Sequence, residues 1–99
     1  MAKTINILGQ KYKYSETTVK DDSELSDCDG YVEKTKKRIV VNSDIDTEYM
    51  KRKIRRHECL HAFFHESGLD AYSADETLVD YIANVFPKLL KTFKKVNAI

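Results

Sequence analysis

The hydrophobic and polar positions of the first 42 residues alternate over short runs that turn residues separate. Such runs, rich in Ile, Val, Thr and Tyr, are typical of strands. Four of them occur in this order: "TINILG", "KYKYSETTV", "GYVEK" and "KRIVVN". Gly9-Gln10 lies between the first two, and "EKTKK" leads from the third into the fourth, so each pair is predicted to form a hairpin. We therefore predict a small antiparallel sheet made of two hairpins.

From Asp44 onward the pattern takes a helical period. One inward face is formed by residues spaced three or four apart: Met50, Ile54, His57, His61, Phe64 and Gly68. Gly68 is predicted to end this helix in a left-handed conformation. A second helix is predicted to begin at the capping-box sequence "SADE", Ser73–Glu76, and its inward face reads Glu76, Val79, Ala83, Phe86, Leu90 and Phe93. Pro87 is expected to kink or restart that helix, because proline removes a backbone hydrogen bond.

Length and composition restrict the class of protein. A chain of 99 residues is enough for one core, so we predict one domain over residues 1–99, an α+β fold in which the sheet packs on two core helices. The formal net charge of +1 supplies no whole-molecule field for nucleic acid or membrane. No apolar run approaches the roughly 18 residues of a membrane span, and the N-terminus lacks the apolar core of a leader peptide. With Cys28 and Cys59 as its only cysteines, the chain is predicted to be cytoplasmic with free thiols.

The acidic segment "KDDSELSDCDG" separates the two predicted hairpins. Its carboxylates could supply oxygen ligands to calcium, but their spacing lacks the glycine and the final glutamate of an EF-hand loop. We predict a solvated connector.

All three histidines lie within residues 57–65, and His57-Glu58-Cys59-Leu60-His61 is an HExxH motif. Residues four apart on a helix differ by about 40° in direction and about 6 Å in height, so two imidazoles can bind one metal ion. Glu58 then faces a water at the open metal position, which makes it the candidate general base. The alternative is a chance motif with hydrogen-bonded core histidines, but burying such groups without partners would cost several kcal/mol.

A catalytic zinc ion takes three protein ligands. His65 lies about 12 Å along the helix axis from His57, too far for both to bind one ion while the helix continues. Glu76 is the predicted third ligand because it faces inward on the next helix, although its place in the capping box is another explanation. Asp80, one turn later, is predicted to accept a hydrogen bond from a ligand imidazole; otherwise it is an ordinary surface aspartate.

"HECLH" followed by "ETLVD" resembles the gluzincin metallopeptidases, which have HExxH on one helix and ExxxD on the next. The resemblance implies His57, His61 and Glu76 as zinc ligands, Glu58 as the base and Asp80 as the residue that orients a histidine. Nearly the whole chain is similar to small phage and prophage proteins related to the ImmA/IrrE-type metallopeptidases, through "DGY", "IVVN", "ESGL" and "VDYIANVFPK" in that order. This likeness implies a minimal zincin domain in the cytoplasm of a bacterial host.

The predicted function is therefore a small zinc-dependent metallopeptidase that hydrolyses a peptide bond in a protein or peptide. Candidate donors to the charged intermediate are His65, Tyr72 and Tyr81, each of which could also be an ordinary helix-flank residue. A sheet edge built from "GYVEK" or "RIVVN" could hold the substrate as an added strand. The alternative function is a catalytically inactive, zinc-containing binding module that keeps the zincin fold.

Two further partners are not expected. The basic run "KRKIRRH" scatters its charges around the helix and contains no aromatic stacking platform, which disfavours nucleic acid. A membrane partner is not predicted either.

Overall fold

A computed structural model describes residues 2–99 and has an α+β architecture, as predicted. Its four strands are β1 (Ala2–Ile7), β2 (Gln10–Thr17), β3 (Gly30–Glu33) and β4 (Arg38–Asn42). Its three helices are α1 (Glu48–Glu66), α2 (Asp70–Ser73) and α3 (Glu76–Lys95). The short helix α2 was not predicted. Among residues 2–99, no helix combines the length and the hydropathy that a bilayer crossing requires.

Both hairpins form, but the sheet is mixed rather than purely antiparallel. The strands lie in the order β1-β2-β4-β3. β2 and β4 pair in parallel and so join the two hairpins. The prediction of an antiparallel sheet was wrong because the 12-residue stretch between Thr17 and Gly30 can cross two strand spacings of about 5 Å each. This stretch carries the chain past the position of β4 to the far edge of the sheet. Consequently β3 is an edge strand, whereas β4 ("RIVVN") is interior and cannot accept an added strand.

The acidic connector is folded against the sheet rather than fully solvated. Asp22 caps a short 3₁₀ turn, Ser23–Ser26, and its carboxylate also accepts a hydrogen bond from the Tyr31 hydroxyl of β3. Leu25 within this turn is buried. The connector therefore holds β3 through the Tyr31 side chain.

The main core lies between the inner face of the sheet and α1. Its buried residues are Ile7, Tyr12, Tyr14, Ile39, Val41 and Ala62, and Ile54 and Cys59 of α1 pack against them. Cys59 thus occupies a packing position. Since Cys59 and Ala62 face the sheet, the side chains on the neighbouring faces of α1 are left to point toward β3 and α3.

Helix α1 has a cap at each end. The Thr47 hydroxyl accepts a hydrogen bond from the backbone amide of Met50 at 3.1 Å. At the other end Gly68 adopts a φ of +75°, the left-handed conformation that was predicted. The amide of Leu69 then donates to the carbonyl of Phe64 at 2.8 Å, which satisfies one of the last free carbonyls of the helix. The sharp end at Gly68 turns the chain back toward the middle of α1.

The predicted capping box at Ser73–Glu76 is wrong. Asp75, not Ser73, is the N-cap of α3, and its carboxylate accepts a hydrogen bond from the amide of Leu78. Ser73 belongs to α2. Glu76 is the first residue of α3 and its side chain takes no part in the cap, so its carboxylate is free for another role.

Helix α3 continues through Pro87 as one helix, so the proline does not restart it. Proline lacks the amide that would bond to the carbonyl four residues earlier, which is that of Ala83. Arg56 of α1 donates its Nε–H to this carbonyl at 2.6 Å. A side chain from the neighbouring helix therefore replaces the missing backbone donor, and this bond also fixes α3 against α1.

Candidate metal centre

Two imidazoles and one carboxylate converge where α1 faces the start of α3. His57 Nε2 and His61 Nε2 are 3.1 Å apart, because one helical turn separates the two residues. Glu76 Oε2 lies 3.1 Å from His57 Nε2, and Glu76 Oε1 lies 3.1 Å from His61 Nε2. Sequence reasoning named these three residues, and the fold brings them together. Their ligand atoms all lie within 4.8 Å of one another, so the group could hold a metal ion.

The tautomer of His61 is fixed by the backbone of α2. His61 Nδ1 lies 2.7 Å from the carbonyl oxygen of Ser73, and a carbonyl can only accept, so Nδ1 carries the proton. The lone pair of Nε2 is then directed at the cluster. The Ser73 hydroxyl donates to the His61 carbonyl at 3.0 Å, which holds the two segments together. Burial lowers the pKa of His61, and this favours the neutral form that binds metals.

Asp80, the predicted hydrogen-bond acceptor of a ligand imidazole, stands beside His57. Its Oδ1 is 3.6 Å from His57 Nδ1, somewhat longer than a hydrogen bond, and it also forms an ion pair with Lys53 at 3.3 Å. Asp80 is one turn along α3 from Glu76, so a single helix supplies both carboxylates. With Nδ1 and Oδ1 3.6 Å apart, the hydrogen bond that would orient His57 through Asp80 stays a prediction.

Glu58 lies beside the cluster and is almost completely buried, with 7% of its surface exposed. Burial, followed by the negative charges of Glu76 and Asp29, raises its pKa to about 7. Glu58 packs against the start of β3, where Gly30 leaves space for it: a Cβ at Gly30 would stand 2.9 Å from Glu58 Cγ. The carboxyl group is therefore held in place beside the cluster.

A cleft of about 670 Å³ gives access to the cluster. The edge strand β3 forms one wall through Gly30, Tyr31 and Val32, and α1 and α3 form the other. Glu58, both histidines, Glu76 and Asp80 all line it. Among the described residues, Lys34, directly after β3, is the one Lys or Arg side chain in the lining.

The three candidate donors to a charged intermediate lie outside this cleft. His65 is at the end of α1, with its Nδ1 2.6 Å from Asp70 Oδ1. Tyr72 packs edge-on against Phe64, with ring centroids 5.9 Å apart, and Tyr81 is exposed. The arrangement brings His57, His61, Glu76, Glu58 and Asp80 together, and it leaves these three apart.

Sequence reasoning missed three residues of the cleft. Ser73 orients His61 through a backbone carbonyl, which no residue pattern reveals. Lys34 was taken only as part of a polar turn. Gly30 had a readable signal, because a glycine at the start of a strand often marks a close approach to other atoms.

No protein-family model, no curated protein and no solved structure matches this chain.

Proposed function

We propose that the protein is a small zinc-dependent peptidase of the gluzincin type. The single observation that carries the proposal is the convergence of His57, His61 and Glu76 beside the buried carboxyl group of Glu58. The likeness of "HECLH" and "ETLVD" to gluzincin motifs supports the same proposal, as does the likeness of the chain to phage proteins related to ImmA/IrrE-type metallopeptidases.

Zinc is the ion that suits this set of ligands. Two imidazole nitrogens favour zinc over calcium or magnesium, which prefer oxygen. With bonds of about 2.0–2.1 Å, the ligand atoms of a tetrahedral zinc site stand about 3.3 Å apart. The two ring nitrogens are 3.1 Å apart, close to that value, and each of them lies 3.1 Å from a different oxygen of Glu76. Three protein ligands leave a fourth position that faces the cleft.

When bound, zinc would act as a Lewis acid that lowers the pKa of a water and polarises a peptide carbonyl. Glu58 would accept the proton of the attacking water and return it to the leaving amine. Its raised pKa, its burial and its place in the cleft suit that exchange. His61, held by the carbonyl of Ser73, would keep its ring in one orientation throughout.

A peptide substrate suits the wall of the cleft. β3 is the edge strand of the sheet, and Gly30, Tyr31 and Val32 line the cleft. An extended peptide would pair with the free backbone groups of β3 and place a carbonyl near the cluster. Substrates of this kind are recognised largely through their main chain.

The proposal is tested on purified wild type, Glu58→Gln and Glu76→Ala, each loaded with zinc and given a peptide library. Glu58→Gln should keep its zinc and lose cleavage, because the amide cannot accept the proton. Glu76→Ala should lose zinc affinity and cleavage together. Glu48→Ala, which also removes an exposed glutamate from the first turn of a helix, is the matched control and should behave as wild type. A wild type that binds zinc and cleaves nothing would refute the peptidase and leave the zinc-containing binding module.

A further inference from the structure

The C-terminal half of α3 exposes large apolar side chains that the domain does not cover. The exposed fractions are 41% for Phe86, 41% for Leu89, 37% for Phe93 and 65% for Val96. From Lys91 to Ile99 every residue is exposed. Exposed apolar side chains that cluster on one face mark an interaction surface more often than single ones do.

This half of α3 extends past the helix on which the first half packs. The two helices run antiparallel, because the pairs in contact follow in reverse order: His57 with Glu76, Lys53 with Asp80 and Tyr49 with Asn84. Tyr49 lies in the first turn of α1, so α1 begins level with Asn84. Eleven residues of α3 follow Asn84, which is about 16 Å of helix at 1.5 Å per residue. We call this segment, residues 85–95, the overhang.

Apolar and basic side chains occupy opposite sides of the overhang. At 100° per residue, Phe86, Leu89, Phe93 and Val96 just beyond its end fall within an arc of about 80°. The lysines all lie outside that arc by at least about 80°, and they are Lys88, Lys91, Lys94 and Lys95. No Asp or Glu occurs after Asp80. The segment is thus a basic amphipathic helix inside a chain of net charge +1.

We propose that the overhang binds an anionic lipid surface. Charge complementarity selects the occupant, because four lysines without any acidic neighbour favour a negatively charged surface. A second copy pairing through the apolar face would leave all four lysines in solvent, so it would make no use of their charge. The net charge of +1 had predicted no membrane partner; the proposal rests instead on the local charge of this segment.

The placement of the lysines favours a lipid surface over an acidic protein segment. A peptide that covered the apolar arc could not reach lysines on the opposite side of the helix. The potential of an anionic bilayer extends over a Debye length of about 8–10 Å, comparable to the helix diameter of about 10–12 Å. All four lysines would therefore contribute while Phe86, Leu89 and Phe93 enter the headgroup region.

Flotation of the purified full chain with phosphatidylcholine vesicles, with and without phosphatidylglycerol, tests this proposal. Wild type should float only with the anionic vesicles, and about 1 M salt should release it. Lys91→Glu with Lys95→Glu should weaken binding by at least about 25-fold, at about five-fold per lysine. Lys11→Glu with Lys13→Glu changes the net charge equally on the exposed face of β2 and should leave binding near that of wild type.

The apolar side is tested by Leu89→Ser with Phe93→Ser, which should abolish flotation while the melting temperature stays near that of wild type. Three outcomes would overturn the proposal. One is no flotation with anionic vesicles; another is equal loss in the β2 control. The third is binding to soluble polyglutamate without binding to vesicles, which would assign the overhang to an acidic protein partner.

Discussion

Replacing Gly30 by alanine tests how the fold holds the candidate base. The added Cβ would stand 2.9 Å from Glu58 Cγ, 3.3 Å from Glu58 Cδ and 3.0 Å from the backbone oxygen of Val40. Overpacking of this kind costs about 1–3 kcal/mol, and the lower entropy of the unfolded alanine chain returns about 0.4–1 kcal/mol. We expect a net loss of about 1–2 kcal/mol, or a melting temperature lower by about 5–15 °C.

A double-mutant cycle with Glu58→Ala separates the two contacts. Glu58→Ala removes Cγ and Cδ, so only the contact with the Val40 oxygen remains. Gly30→Ala should then cost at least about 1 kcal/mol less than it does in wild type. Thermal and urea unfolding of the four metal-free proteins measures this difference. An equal cost in both backgrounds, or no cost in wild type, would show that Gly30 does not position Glu58.

Three more predictions follow from particular contacts. Arg56→Met should destabilise the fold by about 1–3 kcal/mol, but by much less in a Pro87→Ala background, where the backbone donor of α3 is restored. If chemical unfolding shows the same loss of stability in both backgrounds, Arg56 does not replace the missing donor. The hydrogen bond from Arg55 lowers the pKa of Glu16 below its ordinary value of 4.5. The ionised Glu16 should therefore stabilise the fold fully above pH 4.5, and this stabilisation should fade as the pH falls through the pKa of the folded state. Glu16→Gln should be less stable than wild type at pH 7 and approach it in acid. Cys59→Ala should cost about 1 kcal/mol of stability with its zinc stoichiometry unchanged, and loss of zinc in the folded variant would refute the packing role.

The local elements of the fold were readable from the sequence, whereas the order of strands was not. Alternation and turn residues predict each hairpin, because these signals act within a few residues. The parallel pairing of β2 with β4 depends on where a long connector carries the chain, and no local pattern specifies that path. One hint was present: Ile39, Val40 and Val41 form an unbroken apolar run, which is typical of an interior strand covered on both faces.

The candidate site likewise has a part that local sequence patterns predicted and a part that they did not. His57, His61 and Glu58 follow from the geometry of one helix, so their spacing alone predicted their convergence. Glu76 was chosen by its inward position, but the capping box attributed to it was wrong, because Asp75 is the residue that caps α3. The roles of Ser73 and Gly30 arise from backbone atoms and from empty space. The role of Ser73 leaves no signature in residue type, whereas a glycine at the start of a strand does indicate a close approach to other atoms.

The central claim is that His57, His61 and Glu76 together hold zinc. X-ray absorption at the zinc edge of the zinc-loaded protein tests it most directly, because it identifies the ligand atoms and their distances. One zinc per chain is expected, with only nitrogen and oxygen neighbours at about 2.0–2.2 Å, two of them imidazoles. A sulfur neighbour at about 2.3 Å, a third imidazole, or no tightly bound zinc would contradict it.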